Sequence, residues 1–223
     1  NVATFIKRLY EESKKVKCDY AEITKERKLL FPSTLEGWGL CKSMITNEWM
    51  LPGYTIDPIM QTPRICQLYL YRKDLGTPGG KNRFICQGWT NADDNVKVSH
   101  GLFCNGYDKK KGAIHLVEGV WDAAAYKEVL SRTNVGDDGT VTYVGAKETS
   151  IYTKTNVVAT PGCNIFQDGW LPIFSGKKVT ILYDNDHEIT NKKTGKLIPG
   201  AGIAGTKRVT EALSAYAHKP ESV

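Results

Sequence analysis

The 223-residue sequence contains no C-x-x-C pair: its six cysteines, at positions 18, 41, 66, 86, 104 and 163, lie at least 18 residues apart. A zinc ribbon needs two close thiolate pairs to build a tetrahedron around the metal, so none is encoded here. The cysteine count is even, but the chain is large and carries no secretion signal. Free, mostly buried thiols in a reducing compartment are therefore expected rather than a disulfide framework. No apolar run approaches the roughly 18 residues of a membrane span, so no membrane partner is expected. The opening stretch, NVATFIKRLYEESKK, has no initiator Met and lacks the basic, apolar and small-residue order of a signal peptide. It is expected to lie inside a longer protein, and the cytoplasm of a cell or of a virus-infected host is the expected location. Internal repeats and low-complexity tracts are also lacking. Histidine is scarce, and of His100, His115, His187 and His218 only His187 stands beside other candidate site residues.

What is present is an ordinary globular composition, 41% apolar and 24% charged, long enough for two small α/β domains or one larger one. The net charge of +6 is unevenly placed: residues 1–110 carry 17 Lys+Arg against 12 Asp+Glu, and residues 111–223 carry 13 against 12. The basic half suits a polyanion, and it equally suits a solvated surface.

In ATFIKRLYEESKKV, Phe5, Ile6, Leu9 and Val16 recur at helical spacing, which predicts an amphipathic helix. LFPSTLEGWGLCKS combines Ser33, Thr34 and Glu36 as a helix start with a Gly-rich end, predicting a short helix and a turn before MLPGYTI. Two strand-like runs, Leu68 to Arg72 and Arg83 to Trp89, flank a Gly/Pro-rich turn and predict a β-hairpin with Arg72, Lys73, Lys81 and Arg83 on its shoulders. A second unit is expected from about Lys111. There GAIHLVEG reads as a strand, VWDAAAYKEVL as a helix with Val120, Ala124 and Val129 turned inward, NVVATPG and KKVTILYDND as strands, and TKRVTEALSAYA as a final helix. That alternation builds a parallel sheet with covering helices. Residues 132–156 are expected to hold an inserted hairpin, and ITNKKTGKLIPGAGI a further insertion.

Val179 to Tyr183 leave no polar face and predict a buried strand, which stops on Asp184 and Asp186. Spacing of i, i+2 on extended chain points both carboxylates to one side, at the end of the strand where parallel sheets place their sites. HLVEG ends likewise on Glu118, and Asp122 lies one helical turn further. If the two strands are neighbours, the acids converge. Like charges so placed raise one another's pKa unless neutralised, and a hard divalent cation with oxygen ligands does this at least cost. Singly, each acid has a structural reading: a strand end, a charge in the first turn of a helix, or a loop pair.

VEGVWDAAAY, then VVATPG, then ILYDND resembles the toprim domain shared by bacterial-type and phage primases, topoisomerases, some nucleases and recombination proteins. The resemblance covers about residues 111–223. It implies an α/β fold with a toprim-type parallel sheet and covering helices, and a Mg²⁺-dependent phosphoryl-transfer site that Mn²⁺ can also serve. Glu118, Asp184 and Asp186 stand in the motif's acidic, catalytic positions, with Asp122 as its nearby acid and a fourth metal ligand. AGTKRVTEAL resembles the family's G-x-K helix start and would bring Gly205 and Lys207 toward the site. Residues 1–110 resemble the smaller basic α+β subdomain that precedes toprim in phage and bacterial primases and primase-helicases. There Arg72, Lys73, Lys81 and Arg83 would face template and nucleotides.

The implied function is the catalytic core of a DNA primase, a nucleotidyltransferase that joins ribonucleoside triphosphates into RNA primers on single-stranded DNA. A replicative helicase, fused or bound, is the expected partner. A toprim nuclease, or a non-catalytic single-stranded DNA-binding or assembly module, is the alternative.

Overall fold

The computed structural model describes residues 2–27, 30–72, 83–86, 100–135, 141–143, 154–190, 194–216 and 220–223. They form two compact units, Asn1–Thr55 with Pro63–Gly106, and Ile56–Thr62 with Tyr107–Val223. No helix among the described residues is long and apolar enough to cross a membrane.

The first unit opens with helices α1 (Val2–Lys14), α2 (Ala21–Glu26) and α3 (Pro32–Gly37). A four-stranded sheet follows in the order β1 (Cys41–Lys42), β2 (Trp49–Ile56), β3 (Pro63–Arg72) and β4 (Arg83–Cys86). The α1 pattern buries Ile6 and Tyr10 in a core with Cys41, Met50, Leu68 and Leu70. Phe5, expected on that face, is 46% exposed, and Val16 lies past the end of the helix. The proposed Ser33–Thr34 start is not the one used: Phe31 is the N-cap and Pro32 occupies the first turn, where its missing N–H costs nothing. The hairpin pairs antiparallel with Arg72 opposite Arg83; β4 is described over Arg83–Cys86, and the rest of the expected run, to Trp89, lies outside the described residues. Lys73 and Lys81 fall outside the described residues.

The second unit holds a three-stranded parallel sheet in the order β8–β5–β9, where β5 is Ala113–Glu118, β8 is Thr155–Thr160 and β9 is Lys178–Leu182. Helix α4 (Val120–Arg132) packs against β5 and β8. Ala123 and Ala124 are buried there, their small side chains letting the helix approach closely. Val129 is 54% exposed, because the inward stripe passes through Ala123, Ala124, Glu128 and Leu130 instead. The predicted insert is a hairpin, β6 (Thr133–Val135) paired antiparallel with β7 (Val141–Tyr143). The later insertion forms a second one, β10 (Ile189–Thr190) with β11 (Leu197–Ile198), before the final helix α5 (Ala201–Ala215).

Strand β9 is not the fully buried strand that its apolar run suggests. Thr180 is exposed and Ile181 and Leu182 are only half-buried, because β9 lies at one end of the three-strand order. Beside it runs the last described segment: Val179 N–H donates to Ser222 O at 2.7 Å and Glu221 N–H to Lys177 O at 2.7 Å. Every residue of β8 is buried, and Ile114 and Leu116 of central β5 have no exposed surface. Burying each of those two side chains is worth at most about 1.5–3 kcal/mol.

Candidate active site

Register fixes which side chains meet at the carboxyl edge of the parallel sheet. Glu118 is opposite Thr160 of β8, and Val117 is opposite Leu182 of β9, so Tyr183 follows beside Glu118. Side chains alternate along a strand. His115 Nδ1 lies 2.7 Å from Tyr126 OH, which places His115 on the α4 side. Glu118, three residues on, therefore belongs to the other face, together with Thr160 and Tyr183. Thr160 Oγ1 and Tyr183 OH hydrogen-bond at 3.0 Å, linking the two outer strands across the end of the central one.

On that face Glu118 Oε2 is buried and has no hydrogen-bond partner. A buried carboxylate oxygen left unpaired costs about 1–3 kcal/mol or more, so this oxygen is an unfilled acceptor that could serve as a ligand to a cation. Cys163, just past β8, closes over the acid. Burial raises its thiol pKa first, and the hydrogen bond to Glu118 and that residue's charge raise it further. Burial also pushes Tyr183 up to about 12, with the charge of Glu118 adding to it and the Thr160 hydrogen bond opposing it.

Asp184 and Asp186 follow β9 at the same edge, and both are exposed. Gly202 N–H, in the first turn of α5, donates to Asp186 Oδ2 at 3.1 Å, so Asp186 caps that helix from a distance in sequence. The helix can seat there only because it begins with glycines. A Cβ on Gly202 would run into the Asp184 carbonyl oxygen and stand 2.8 Å from its carbonyl carbon, and one on Gly205 would stand 2.6 Å from Cys163 O. Gly200 and Gly202 made PGAGI read as part of an insertion, and α5 starts at Ala201, five residues before TKRVTEAL.

Asp122 is exposed in the first turn of α4. The preceding turn is made by Gly119 at φ +81, left-handed backbone where an added Cβ would be strained. Lys207 is exposed and lies 4.0 Å from Glu211, one turn along α5. The next residue, Arg208, donates to Asn164 O at 3.2 Å and to Asn164 Oδ1 at 3.4 Å, on the segment that carries Cys163. Strand β4 carries Arg83 and β3 ends at Arg72, while the turn with Lys73 and Lys81 lies outside the described residues.

Comparison with known proteins adds little. No family model and no curated protein matches the chain. Among solved structures it is similar to the crystal structure of the primase fragment of the bacteriophage T7 primase-helicase protein, at 15% identity and a TM-score of 0.41. The likeness covers 86% of this chain and 61% of that one, so the chain spans about three fifths of its length.

The donor set is all hard oxygen, which suits Mg²⁺ or Mn²⁺ rather than a thiophilic metal. Among the described residues, however, no three of His, Cys, Asp and Glu are grouped closely enough to enclose one ion. An ion at this edge would have to be held by one or two carboxylates and completed by water and a substrate phosphate, as Mg²⁺ commonly is. Sequence reasoning missed Thr160, Cys163 and Tyr183. Only the strand order brings them to Glu118, although a third strand ending in VVATPGC was a cue to look there.

Proposed function

We propose that the second unit is a toprim-type phosphoryl-transfer site and that the chain is the catalytic core of a DNA primase. The carrying observation is the unpartnered Glu118 oxygen, buried at the carboxyl end of the central strand of a parallel sheet whose neighbouring strand runs into Asp184 and Asp186. Open α/β sheets bind ligands at that edge. A divalent ion there would lower the pKa of an attacking 3′-hydroxyl and take up charge on a leaving pyrophosphate.

The chain's own residues divide the remaining work. Glu118 and Asp184 supply carboxylate oxygens at two adjacent strand ends, with Asp122 one helical turn away. Asp186, by capping α5 through one oxygen, fixes the turn that presents Asp184, and its other oxygen remains for a ligand. Arg72, Lys73, Lys81, Arg83 and Lys207 bind phosphates of single-stranded DNA or of ribonucleoside triphosphates without reading bases, so binding weakens steeply with salt. A replicative helicase is the partner proposed for the longer protein.

A structural role for the acids is the competing reading, favoured by the Asp186–Gly202 hydrogen bond and by the lack of a three-ligand cluster among the described residues. One assay separates the readings: single-stranded DNA, with and without a short annealed RNA, incubated with labelled ribonucleotides and Mg²⁺ or Mn²⁺. Extended RNA that is lost in Asp184→Asn supports the primase reading. Shortened DNA indicates a nuclease, and DNA retention with neither product a binding module.

A further inference from the structure

Two of the cysteines lie together in the first unit, away from the acids. Cys18 follows α1 in the connection to α2 and is half-buried, whereas Cys41 opens β1 and is 2% exposed. The backbone N–H of Lys42 donates to Cys18 Sγ at 3.4 Å, and the Cys18 thiol reaches Val16 O at 3.5 Å. Lys42 N is one peptide bond from Cys41 Cα, roughly 2.4 Å, so the Cys18 sulfur is no more than about 6 Å from that Cα. Cys18 also packs against the core cluster that contains Cys41. Both thiols line one cavity of about 390 Å³, whose rim carries Lys14, Lys15 and Lys17. Native disulfides have Cα atoms about 4.4–6.8 Å apart, so closing the pair takes a rotamer change at Cys18 together with a shift of the α1–α2 connection that carries it.

We propose that Cys18 and Cys41 are a peroxide-responsive thiol pair that closes into a reversible disulfide. The division of labour follows from exposure. Cys18, at the cavity, attacks a hydroperoxide: its sulfur takes the terminal OH, the O–O bond breaks and water or an alcohol leaves, giving a sulfenic acid. Cys41 sulfur then displaces that hydroxyl as water, its own proton leaving with it, and the S–S bond forms. The peroxide gains two electrons and each thiol gives up one. Burial pushes Cys41 up to about 12, which keeps it a protonated thiol and leaves the first oxidation to Cys18. A dithiol reductant reverses the reaction by exchange. The bridge would tie the end of α1 to β1 and close α2 and α3 into one loop, restricting the unfolded chain of the first unit. This inference is independent of the acids of the second unit.

The test treats the reduced protein with hydrogen peroxide, blocks remaining thiols with N-ethylmaleimide and maps peptides without reduction. The expected result is a linked pair of peptides carrying Cys18 and Cys41, absent after dithiothreitol and absent in Cys18→Ser. In Cys41→Ser, a dimedone adduct should accumulate at Cys18. The oxidised protein should also melt at a higher temperature than the reduced one, a difference that vanishes in Cys18→Ser. If Cys18 and Cys41 alkylate after peroxide as fully as before it, or if Cys18 links to another cysteine, the proposal fails. Should Cys41→Ser not fold, the wild-type map decides alone.

Discussion

Replacing Gly202 by Ala sets two effects against each other. Helix propensity favours Ala by about 1 kcal/mol in a helix interior, less in the first turn where Gly202 sits. Against this, the new methyl would overlap the Asp184 carbonyl oxygen and stand 2.8 Å from its carbon and 3.0 Å from its nitrogen. These are backbone atoms with no rotamer to escape into, and overpacking of this kind costs about 1–3 kcal/mol. Moving the helix away to relieve it also lengthens the Gly202–Asp186 bond, now 3.1 Å, and loss of a cap costs about 1 kcal/mol. The net expectation is a loss of about 1–3 kcal/mol, or roughly 3–10 °C in the melting of the second unit. Gly162→Ala, where an added Cβ meets nothing within 4 Å, is the control and should change little. Differential scanning calorimetry is the assay, since two units need not melt together. If Gly202→Ala melts with or above wild type, the seating of α5 on the Asp184 turn is wrong, and with it the position assigned to both aspartates.

Glu118→Gln should leave the metal-free protein folded, since the amide oxygen can still accept from the Cys163 thiol, and should abolish the rise in melting temperature that millimolar Mg²⁺ gives wild type; an equal rise in both proteins would remove Glu118 from the ligands. Burial lowers the His115 pKa, so the unfolded chain takes up its proton first as pH falls. The stability contributed by neutral His115 is complete above about pH 6.5 and is lost as pH drops through its lower folded value, and His115→Gln should flatten urea midpoints measured between pH 7.5 and 5. Replacing Arg72, Lys73, Lys81 and Arg83 by Ala should weaken single-stranded DNA binding irrespective of sequence and lower the log–log salt slope by about 0.7 per lost phosphate contact, with metal-dependent melting unchanged; an unaltered slope would place the template elsewhere.

Much of the second unit was legible because its signals are local. An apolar run that ends on an acid marks a parallel strand and its carboxyl edge at once, and the places of Glu118 and Asp184 at that edge were read that way. Which strand lies in the middle was not legible. Five apolar or β-branched residues before Asp184 suggested full burial, yet β9 has a strand partner on one side and only a short tail on the other, while the less conspicuous TNVVAT is the strand buried throughout. Glycine misled in two places. Gly200 and Gly202 read as part of an insertion but cap and start α5, because the backbone of the Asp184–Asp186 turn leaves no room for a side chain. Pro52 and Gly53 obscured β2, where Gly53 lies against Gly101: a Cβ on Gly101 would stand 2.5 Å from Gly53 Cα. These are tertiary contacts, and local spacing carries no record of them.

The tail beside β9 has a consequence for the order in which the protein is made. Residues 221 and 222 supply the backbone partners of Lys177 and Val179, so the outer side of this strand has no mate when it leaves the ribosome. At about 5–20 residues per second, the forty-odd residues between them take roughly 2–9 s to synthesise. For that interval a half-apolar strand presents open N–H and C=O groups to whatever passes, including the same strand on the next nascent chain of a polysome. Nascent chains halted before residue 221 should therefore aggregate or recruit chaperones more than chains halted after it, and slowing translation should lengthen the exposure.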